Sequence, residues 1–367
     1  MPVSESANGK FLLMAGGTGG HLFPALALAR KLRSDGFSVE WIGSEDGFEG
    51  HYVKAENIPL HNISIKGVRG KGLFSWLAAP LKIVRAVQQA RNIVKEVNPD
   101  CVVGMGGFAA GPGGIAAWLA GKPLVIHEQN AVAGLTNRIL FFFSKRVLQA
   151  FPQAFGKQSK NIFTTGNPVR SDLIDIEPYE IRKQKRTSQG AMHLLVLGGS
   201  QGALAINQVL PEAIAALDDN AQPLIWHQAG RDKDEVTRAE YKKQGVEARV
   251  DAFVDDMAAA YAWADLVICR AGALTVAELA AVGVGSILIP YPQAVDDHQT
   301  KNADYLAKAN AALIIQQSEL NADKLAKLIE SFKTEPESLE VMAKNARSVG
   351  IPDSVEQVAN LCKQLLY

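Results

Sequence analysis

One sequence pattern, an apolar run that ends in a glycine-rich segment, occurs twice in this 367-residue chain and restricts its fold more than any other feature. An apolar run at 10–15 ends in Gly16–Gly20, and a second apolar run at 193–197 ends in Gly198–Gly202. Each glycine-rich segment is followed by an apolar, helix-compatible segment. A strand, a glycine turn and a helix open an α/β domain with a parallel sheet. The repetition predicts two such domains.

Further strand-like runs continue the alternation in both halves. They lie at 38–42, 101–103, 124–127 and 146–149, and again at 223–227, 266–269, 285–289 and 312–315. Strands that alternate with helical patterns predict doubly wound parallel sheets, and a chain of this length exceeds the usual size of one core. Residues 166–190, with two prolines and several charges, are predicted to be a linker.

The uncharged run at 101–121 is long enough to resemble a membrane span, but seven glycines and Pro112 interrupt it. We interpret it as a strand, a glycine-rich loop and a helix. Three widely spaced cysteines, in no metal-ligand spacing, indicate a reduced, cytosolic setting.

The glycine loops exclude some functions and leave others open. No GxxxxGK[ST] string is present, which argues against Walker-type ATPases, and neither loop contains the dinucleotide fingerprint GxGxxG. Gly198–Gly202 does match the GxSxG of serine hydrolases, but this loop opens a second domain that mirrors the first. Each loop is suited to bind a phosphate, and a purely structural tight turn remains the alternative.

Five ordered motifs together resemble the MurG family of bacterial glycosyltransferases. They are Gly16–Pro24, His127–Asn130, Gly166–Arg170, Gly198–Ala203 and Arg270–Glu278. The resemblance extends from about Lys10 to the C-terminal helix predicted at 354–366. It implies a GT-B fold, in which two Rossmann-like, doubly wound parallel-sheet domains face a deep cleft.

The resemblance also implies the domain roles. Residues 1–167 would form an N-terminal domain on the acceptor and membrane side, with the C-terminal helix, 351–367, packing back on it. Residues 168–350 would bind UDP-GlcNAc. The implied reaction is an inverting transfer of GlcNAc to the C4 hydroxyl of MurNAc in lipid I, which gives lipid II and UDP for peptidoglycan synthesis.

No cofactor or metal is expected. The implied partners are UDP-GlcNAc, the polyprenyl-pyrophosphate acceptor and an anionic membrane surface at the cytoplasmic face of the inner membrane. Other cell-wall synthesis proteins remain open as partners. A general nucleic-acid binder is disfavoured because 38 basic residues balance 38 acidic ones.

The resemblance assigns donor-binding roles in the second half. Arg170 would serve the nucleotide, Val254 the uracil, Glu278 the ribose hydroxyls and Gln299 the GlcNAc. The remaining donor-side residues, expected to hold ribose and diphosphate, are Ser200, Gln201, Gly202, Ala273, Leu274, Thr275, Val276 and Ala277. In the first half, Thr18, Gly19, Gly20 and Asn130 would approach the sugar or the acceptor.

The transfer needs a general base for the acceptor hydroxyl. His21 is the preferred candidate because it follows the first glycine loop, and His127 and Glu128 are the next candidates. A histidine that only hydrogen-bonds the loop is the alternative for His21. The Asp232–Asp234 segment is formally DxD, but it lies in a charge-dense run typical of a solvated surface.

Charge is distributed unevenly along the chain. Residues 1–167 hold eighteen Lys and Arg against ten Asp and Glu, a net of +8, and the remainder carries −8. Seven basic residues and no acidic one lie between Asn57 and Lys95. The apolar residues among them are Leu73, Phe74, Trp76, Leu77, Leu81 and Val84. This pattern favours adsorption to an anionic membrane, with an ordinary buried helix face as the alternative.

Two other function classes fit the same fold. A UDP-GlcNAc 2-epimerase would use the donor without a lipid acceptor, and a non-catalytic protein would bind nucleotide or lipid without turnover. Acceptor-dependent release of UDP distinguishes the transferase from both.

Overall fold

The computed structural model describes residues 8–44, 47–63, 79–185, 190–199, 201–218 and 222–366. The chain divides into two compact units. Unit 1 comprises residues 1–169 and 353–367, and unit 2 comprises residues 170–352. Each unit contains a parallel sheet, so the prediction of two doubly wound α/β folds is confirmed.

The sheet of unit 1 has the strand order β3-β2-β1-β4-β5-β6-β7. Its strands are β1 (Lys10–Met14), β2 (Ser38–Gly43), β3 (Leu60–Asn62), β4 (Cys101–Gly104), β5 (Leu124–Glu128), β6 (Arg146–Gln149) and β7 (Ile162–Thr164). Phe11 and Leu13 belong to one hydrophobic cluster, and Leu12 and Met14 to another. Both faces of the sheet are therefore covered, which explains why its central strands are continuous apolar runs.

Helices cover the sheet of unit 1. They are α1 (Gly19–Ser34), α2 (Phe48–Ala55), α3 (Ala79–Val97), α4 (Ala110–Leu119), α5 (Leu135–Leu140), a 3₁₀ turn at Phe141–Phe143 and, from the end of the chain, a helix at Ser354–Lys363. That last helix packs on α1, where Lys363 Nζ lies 2.7 Å from Asp35 Oδ2. Its Val358 and Cys362 enter the core of unit 1.

The sheet of unit 2 has the order β10-β9-β8-β11-β12-β13. Its strands are β8 (His193–Leu197), β9 (Leu224–Gln228), β10 (Arg249–Asp251), β11 (Leu266–Cys269), β12 (Gly285–Leu288) and β13 (Ala312–Ile314). Its helices are α6 (Ser171–Ile174), α7 (Tyr179–Lys185), α8 (Leu204–Ala215), α9 (Asp234–Lys243), α10 (Met257–Trp263), α11 (Ala273–Val282), α12 (His298–Ala307), α13 (Ala322–Thr334) and α14 (Glu337–Val349). Short 3₁₀ turns lie at Val295–Asp297 and Gln317–Glu319.

The strand order reverses between β1 and β4 in unit 1 and between β8 and β11 in unit 2. The carboxyl ends of the strands at such a switch point are the usual ligand site of an open α/β sheet. Gly16–Gly20 follows β1 and Gly198–Gly202 follows β8. The topology therefore places both glycine-rich segments at a switch point.

The predicted linker at 166–190 contains the junction of the two units, between Val169 and Arg170, but much of its described part is helical. This segment contains α6 and α7, and Arg182 of α7 is buried. The Arg182 guanidinium donates to the carbonyl oxygens of Tyr261, Ala262 and Ala264 at the end of α10, at 2.9–3.0 Å. Pro178 and the charges that follow it therefore belong to a helical layer of unit 2, whereas Pro168 lies in unit 1, just before the junction.

The uncharged run at 101–121 forms β4, a loop and α4, as the sequence predicts. No helix within the described ranges is long and apolar enough to cross a membrane.

Candidate functional site

The glycine loop of unit 2 is fixed by backbone contacts. Gly198 N donates to Gln228 O at 3.0 Å, and Gly202 N donates to Gly199 O at 3.0 Å. Gly202 has φ +71°, and a Cβ there would lie 2.2 Å from Ala229 O. The loop after β8 thus lies directly against the loop after β9. Ser200, the predicted diphosphate residue, lies outside the described residues.

Two helices begin at the switch point of unit 2 without a side-chain cap. The N-cap residues are Ala203 of α8 and Gly272 of α11, and neither caps its helix through a side chain. The first N–H groups of each helix have no intrahelical acceptor, and they favour an anion. A Cβ at Gly272 would meet only Thr275 Oγ1, at 3.6 Å. The space beside the start of α11 is therefore open.

Glu278, the predicted ribose residue, lies on α11 and is only 9% exposed. Tyr261 Oη donates to its Oε2 at 3.1 Å. Burial raises the pKa of Glu278 to about 7, against the opposing effects of Arg170 and of the tyrosine hydrogen bond. A carboxyl group whose pKa lies near neutral pH is typical of functional sites.

The other predicted donor residues of unit 2 differ in their burial and in their hydrogen bonds. Val254 is buried, and its N–H donates to Gln228 Oε1 at 3.0 Å. Gln299, near the start of α12, accepts from Tyr291 N at 2.9 Å through its Oε1. Arg170 precedes α6 and keeps about a quarter of its side chain exposed.

Lys233 adds a cation that the sequence analysis did not assign to the site. Its Nζ donates to the carbonyl oxygen of Gln201, and its Cδ lies 2.9 Å from a Cβ placed on Gly202. Lys233 is half-buried, whereas Arg231 and Asp232 beside it are exposed as predicted. No group of three or more acidic, histidine or cysteine side chains in the described part of the chain could hold a metal ion.

The first glycine loop, in unit 1, is held by a carboxylate and by a second loop. Glu49 is fully buried and accepts from Gly17 N at 3.3 Å and from Ser44 N at 3.0 Å. Gly107, in the loop after β4, has φ +78°, and a Cβ there would lie 2.2 Å from Gly16 O. The loops after β1 and β4 are therefore in direct backbone contact. Thr18 is the N-cap of α1, with Gly19 and Gly20 as the first residues of that helix.

His21 lies in the first turn of α1 and is half-buried. Its ring packs on Gly106, where a Cβ would lie 2.8 Å from His21 Cδ2 and 3.2 Å from Gln129 Oε1. Gln129 is held in turn, because its Nε2 donates to Met105 O at 2.7 Å. The imidazole thus stands at the carboxyl ends of β4 and β5.

His127, at the end of β5, is completely buried. Its Nε2 donates to Gly166 O at 3.0 Å, and burial lowers the pKa of the imidazole to about 4. The electrostatic effect of His21 adds to the lowering of this pKa, and the hydrogen bond to Gly166 opposes it. His127 is therefore neutral at physiological pH, and its Nε2 proton is already engaged.

Glu128 fixes the loop that follows β5. Its Oε1 accepts from the backbone and side-chain nitrogens of Asn130 at 2.9 and 3.2 Å. Its Oε2 accepts from Gly134 N at 3.1 Å and from Asn137 Nδ2 at 2.8 Å. Both carboxylate oxygens are occupied by donors of the same unit, which favours a role in positioning Asn130.

Sequence reasoning missed the residues that hold the predicted ones in place. They are Glu49, Gln129, Arg182, Gln228, Lys233 and Tyr261. Gln129 lies inside a quoted motif and Gln228 directly follows the strand predicted at 223–227, so their positions were available as signals. Glu49, Arg182 and Tyr261 act across long sequence separations and carry no local signal.

Comparison with known proteins identifies relatives over nearly the whole chain. Residues 11–149 match the N-terminal domain of glycosyltransferase family 28, and residues 193–358 match its C-terminal domain. A Cellvibrio japonicus protein is 53% identical, covering 97% of this chain and 98% of its own length. A Marinobacter nauticus protein is 49% identical, with 98% of both chains covered. Both relatives are called UDP-N-acetylglucosamine–N-acetylmuramyl-(pentapeptide) pyrophosphoryl-undecaprenol N-acetylglucosamine transferase.

A solved structure supports the same relationship. The crystal structure of Acinetobacter baumannii MurG is similar to this chain with a TM-score of 0.83 and 40% sequence identity. The match covers 97% of this chain and 99% of the other.

Proposed function

This chain belongs to glycosyltransferase family 28, and from that premise we propose that it transfers N-acetylglucosamine from UDP-N-acetylglucosamine to N-acetylmuramyl-(pentapeptide) pyrophosphoryl-undecaprenol. The observation that carries the proposal is the 53% identity, over 97% of the chain, to an enzyme of that name. The open switch point of unit 2 supports it, because a nucleotide-sugar donor needs such a site.

The proposed reaction is a single displacement. The C4 hydroxyl oxygen of MurNAc forms a bond to C1 of GlcNAc, and the bond from C1 to the diphosphate oxygen breaks. UDP leaves with the electron pair, a general base takes the hydroxyl proton, and the configuration at C1 inverts. The protein must therefore supply a base on the acceptor side and stabilise negative charge on the departing diphosphate.

The leaving diphosphate is assigned to unit 2. The uncapped starts of α8 and α11 present N–H groups, and Lys233 contributes a positive charge beside Gln201. We assign Gly202, Gln201 and residues 273–277 to this task, with Arg170, Val254, Glu278 and Gln299 holding the nucleotide and sugar. These groups can act without a metal, so activity should survive a chelator.

The base is assigned to His21. His127 is neutral, fully buried and engaged with Gly166, and both oxygens of Glu128 accept hydrogen bonds within the loop. His21 is the partly exposed member of the three. Imidazole is the side chain that enzymes use most often as a general base, and Asn130 and the start of α1 are candidates for acceptor contacts.

Replacement of His21 tests this assignment. We expect His21→Ala to lower kcat by about 10²- to 10⁴-fold, since that is the usual contribution of a general base. The dissociation constant for UDP-GlcNAc should stay near the wild-type value, because unit 2 binds the donor. His51→Ala removes an exposed histidine of the same unit and should leave kcat unchanged. A His21→Ala enzyme with wild-type kcat would exclude this base.

The reaction itself is tested by acceptor dependence. Purified protein is incubated with UDP-GlcNAc, with and without a soluble analogue of the lipid-linked MurNAc acceptor. UDP release only with acceptor, together with a GlcNAc–MurNAc product, supports the transferase. Formation of UDP-ManNAc without acceptor would show a 2-epimerase instead, and donor binding without turnover would show a non-catalytic protein.

We further propose that unit 1 adsorbs to an anionic membrane at its cytoplasmic face. Exposed apolar side chains recur on α3, α4, α5 and the following 3₁₀ turn, which pack as neighbours in unit 1. Their exposed fractions are 64% for Val84, 65% for Leu135 and 77% for Phe142, with Leu81, Trp118 and Ile139 also exposed. Lys157 Nζ lies 3.3 Å from the ring centroid of Phe141. The predicted contributors Leu73, Phe74, Trp76 and Leu77 lie outside the described residues.

Vesicle binding tests the membrane proposal. We expect vesicles that contain phosphatidylglycerol to retain the protein at low salt, and high salt to release it. Phe142→Ser should weaken retention severalfold, whereas Val341→Ser, at a 55% exposed position of unit 2, should not. Equal retention on neutral and anionic vesicles, or equal effects of the two substitutions, would contradict the proposal.

A further inference from the structure

The carboxyl group of Glu278 has one hydrogen-bond partner within the described structure. Tyr261 Oη donates to Oε2, and Oε1 accepts from no described residue. A buried carboxylate is costly unless hydrogen bonds or opposite charges compensate it. The single hydrogen bond therefore orients Glu278 and, together with the charge of Arg170, favours its ionised form.

The position of Tyr261 is itself fixed. The side chain is fully buried in unit 2. Its helix, α10, ends in three carbonyl oxygens that accept from Arg182 Nη1, including that of Tyr261 at 3.0 Å. Arg182 Nε donates to Glu177 O at 3.1 Å, which ties the guanidinium to the segment before α7. The phenol is thus presented to Glu278 from an anchored backbone.

We propose that Tyr261 is a positioning residue for donor binding: it holds Oε2 of Glu278 in its charged form and leaves Oε1 to accept from the ribose hydroxyls of the nucleotide. This inference rests on the proposed function, because it assumes that Glu278 binds ribose. A carboxylate can accept from both hydroxyls of a diol, whereas a protonated carboxyl group accepts less well. Donor affinity should therefore depend on the charge of Glu278.

The charges around Glu278 define the expected pH dependence. Arg170, beside α6, and the Tyr261 hydroxyl, on α10, favour the ionised carboxylate, and Asp172 on α6 opposes it. Cys269 on β11 also faces the carboxyl group, but its own pKa is raised by burial, so it remains a neutral thiol. Since burial places the pKa of Glu278 near 7, loss of the tyrosine hydrogen bond should raise it further.

Calorimetric binding of UDP-GlcNAc between pH 6 and 8.5 tests the inference, because the phosphodiester-linked diphosphate of this donor does not titrate there. Wild-type affinity should fall below about pH 7. Tyr261→Phe should weaken binding about threefold to tenfold at pH 7, which is the usual contribution of one hydrogen bond. It should also move the acidic limb of the affinity–pH curve, the fall in affinity at low pH, to higher pH. Glu278→Gln should abolish the limb, and Tyr261→Phe should add no further limb in that background.

The control variant is Tyr241→Phe. Tyr241 is another buried tyrosine of unit 2, and its hydroxyl bonds His227 Nδ1 at 3.0 Å. This substitution should change the melting temperature without moving the acidic limb. If Tyr261→Phe behaves in the same way, or leaves donor affinity unchanged, the positioning role is overturned. If Glu278→Gln leaves the affinity unchanged at every pH, the ribose role in the proposed function fails instead.

Discussion

The two units have similar strand orders, but the glycine loop after the first strand contacts a different neighbouring loop in each unit. In unit 1, the loop after β1 touches the loop after β4, which is the neighbouring strand across the switch point. In unit 2, the loop after β8 touches the loop after β9, on the other side, through Gly202 and Ala229. The crevice between the carboxyl ends of β8 and β11 therefore has open space beside Gly272. In unit 1, backbone atoms fill the equivalent crevice between the ends of β1 and β4.

This difference fits the two different roles that we propose for the units. A nucleotide needs a crevice where backbone N–H groups meet a diphosphate, and unit 2 leaves that crevice open. Unit 1 fills the equivalent space and instead assembles polar side chains around the ends of β4 and β5, with His21 at the edge. The position of one glycine-to-backbone contact separates the two arrangements.

Among the substitutions that test this difference between the units, Gly107→Ala should cause the largest loss of stability. A Cβ at this residue would lie 2.2 Å from Gly16 O, and the backbone already has φ +78°. We expect a loss of about 3–4 kcal/mol in the free energy of unfolding, from overpacking and left-handed strain together. Urea denaturation followed by circular dichroism measures it.

Gly121→Ala provides the matched control. Gly121 also has positive φ, +69°, but a Cβ there would meet nothing within 4 Å. It should cost only about 1–2 kcal/mol. Equal losses for the two variants would mean that the contact between the loops of unit 1 is not tight.

The next prediction concerns two buried titratable groups, His127 in unit 1 and Glu278 in unit 2. Their contributions to the free energy of unfolding change with pH in opposite directions. His127 has a folded pKa of about 4, below the usual 6.5, so the unfolded chain binds more protons between these values. Stability from His127 is fully present above about pH 6.5 and is lost as the pH falls to 4, on the order of 3 kcal/mol. His127→Gln should make the loss of unfolding free energy between pH 7 and 4 smaller by that amount.

Glu278 supplies the contrast in unit 2. Its folded pKa of about 7 lies above the usual 4.5, so its contribution is present below pH 4.5 and is lost as the pH rises through 7. Relative to wild type, Glu278→Gln should therefore gain unfolding free energy between pH 4.5 and 7.5. If both variants shifted the pH dependence in the same direction, the assigned burial of one of the two groups would be wrong.

The smallest effect on stability is expected from Gly272→Ala. Its φ of −63° suits alanine, and the added Cβ would meet only Thr275 Oγ1 at 3.6 Å. The free energy of unfolding should change by less than about 0.5 kcal/mol. Affinity for UDP-GlcNAc should fall severalfold, because the methyl group would occupy the mouth of the crevice. Unchanged affinity would show that the donor does not approach the start of α11.

Much of the fold was predictable from local patterns. The central strands are continuous apolar runs followed within three residues by glycine, so β1, β4, β8 and β11 were placed to within a residue or two. The three-residue edge strands β3, β7 and β10 were missed because they contain polar residues, whereas the equally short edge strand β13 lies in a continuous apolar run and was predicted. The linker was predicted too long, because the junction lies at Val169–Arg170 and the proline and charges beyond it belong to short helices.

The candidate site was predictable only in part, for a different reason. The glycine loop singled out His21 by its position, and the resemblance assigned roles to Thr18 and Glu278. Their electrostatic states could not, because desolvation depends on which distant segments pack against them. His127 and His21 look equivalent in sequence, yet one is fully buried and neutral and the other is half-buried.

By itself the sequence determined two α/β units, a glycine turn at the same point in each, a surplus of positive charge in the first half, and membership of a glycosyltransferase family. The units, the glycine turns and the charge surplus follow from apolar periodicity, turn chemistry and residue identity, which are local. The family membership follows instead from the resemblance of five ordered motifs along the chain. The tertiary structure decided which loop each glycine contacts, and it placed Tyr261 against Glu278 and Arg182 against the end of α10. Such contacts join segments up to about a hundred residues apart, and only the packing of complete layers brings those segments together.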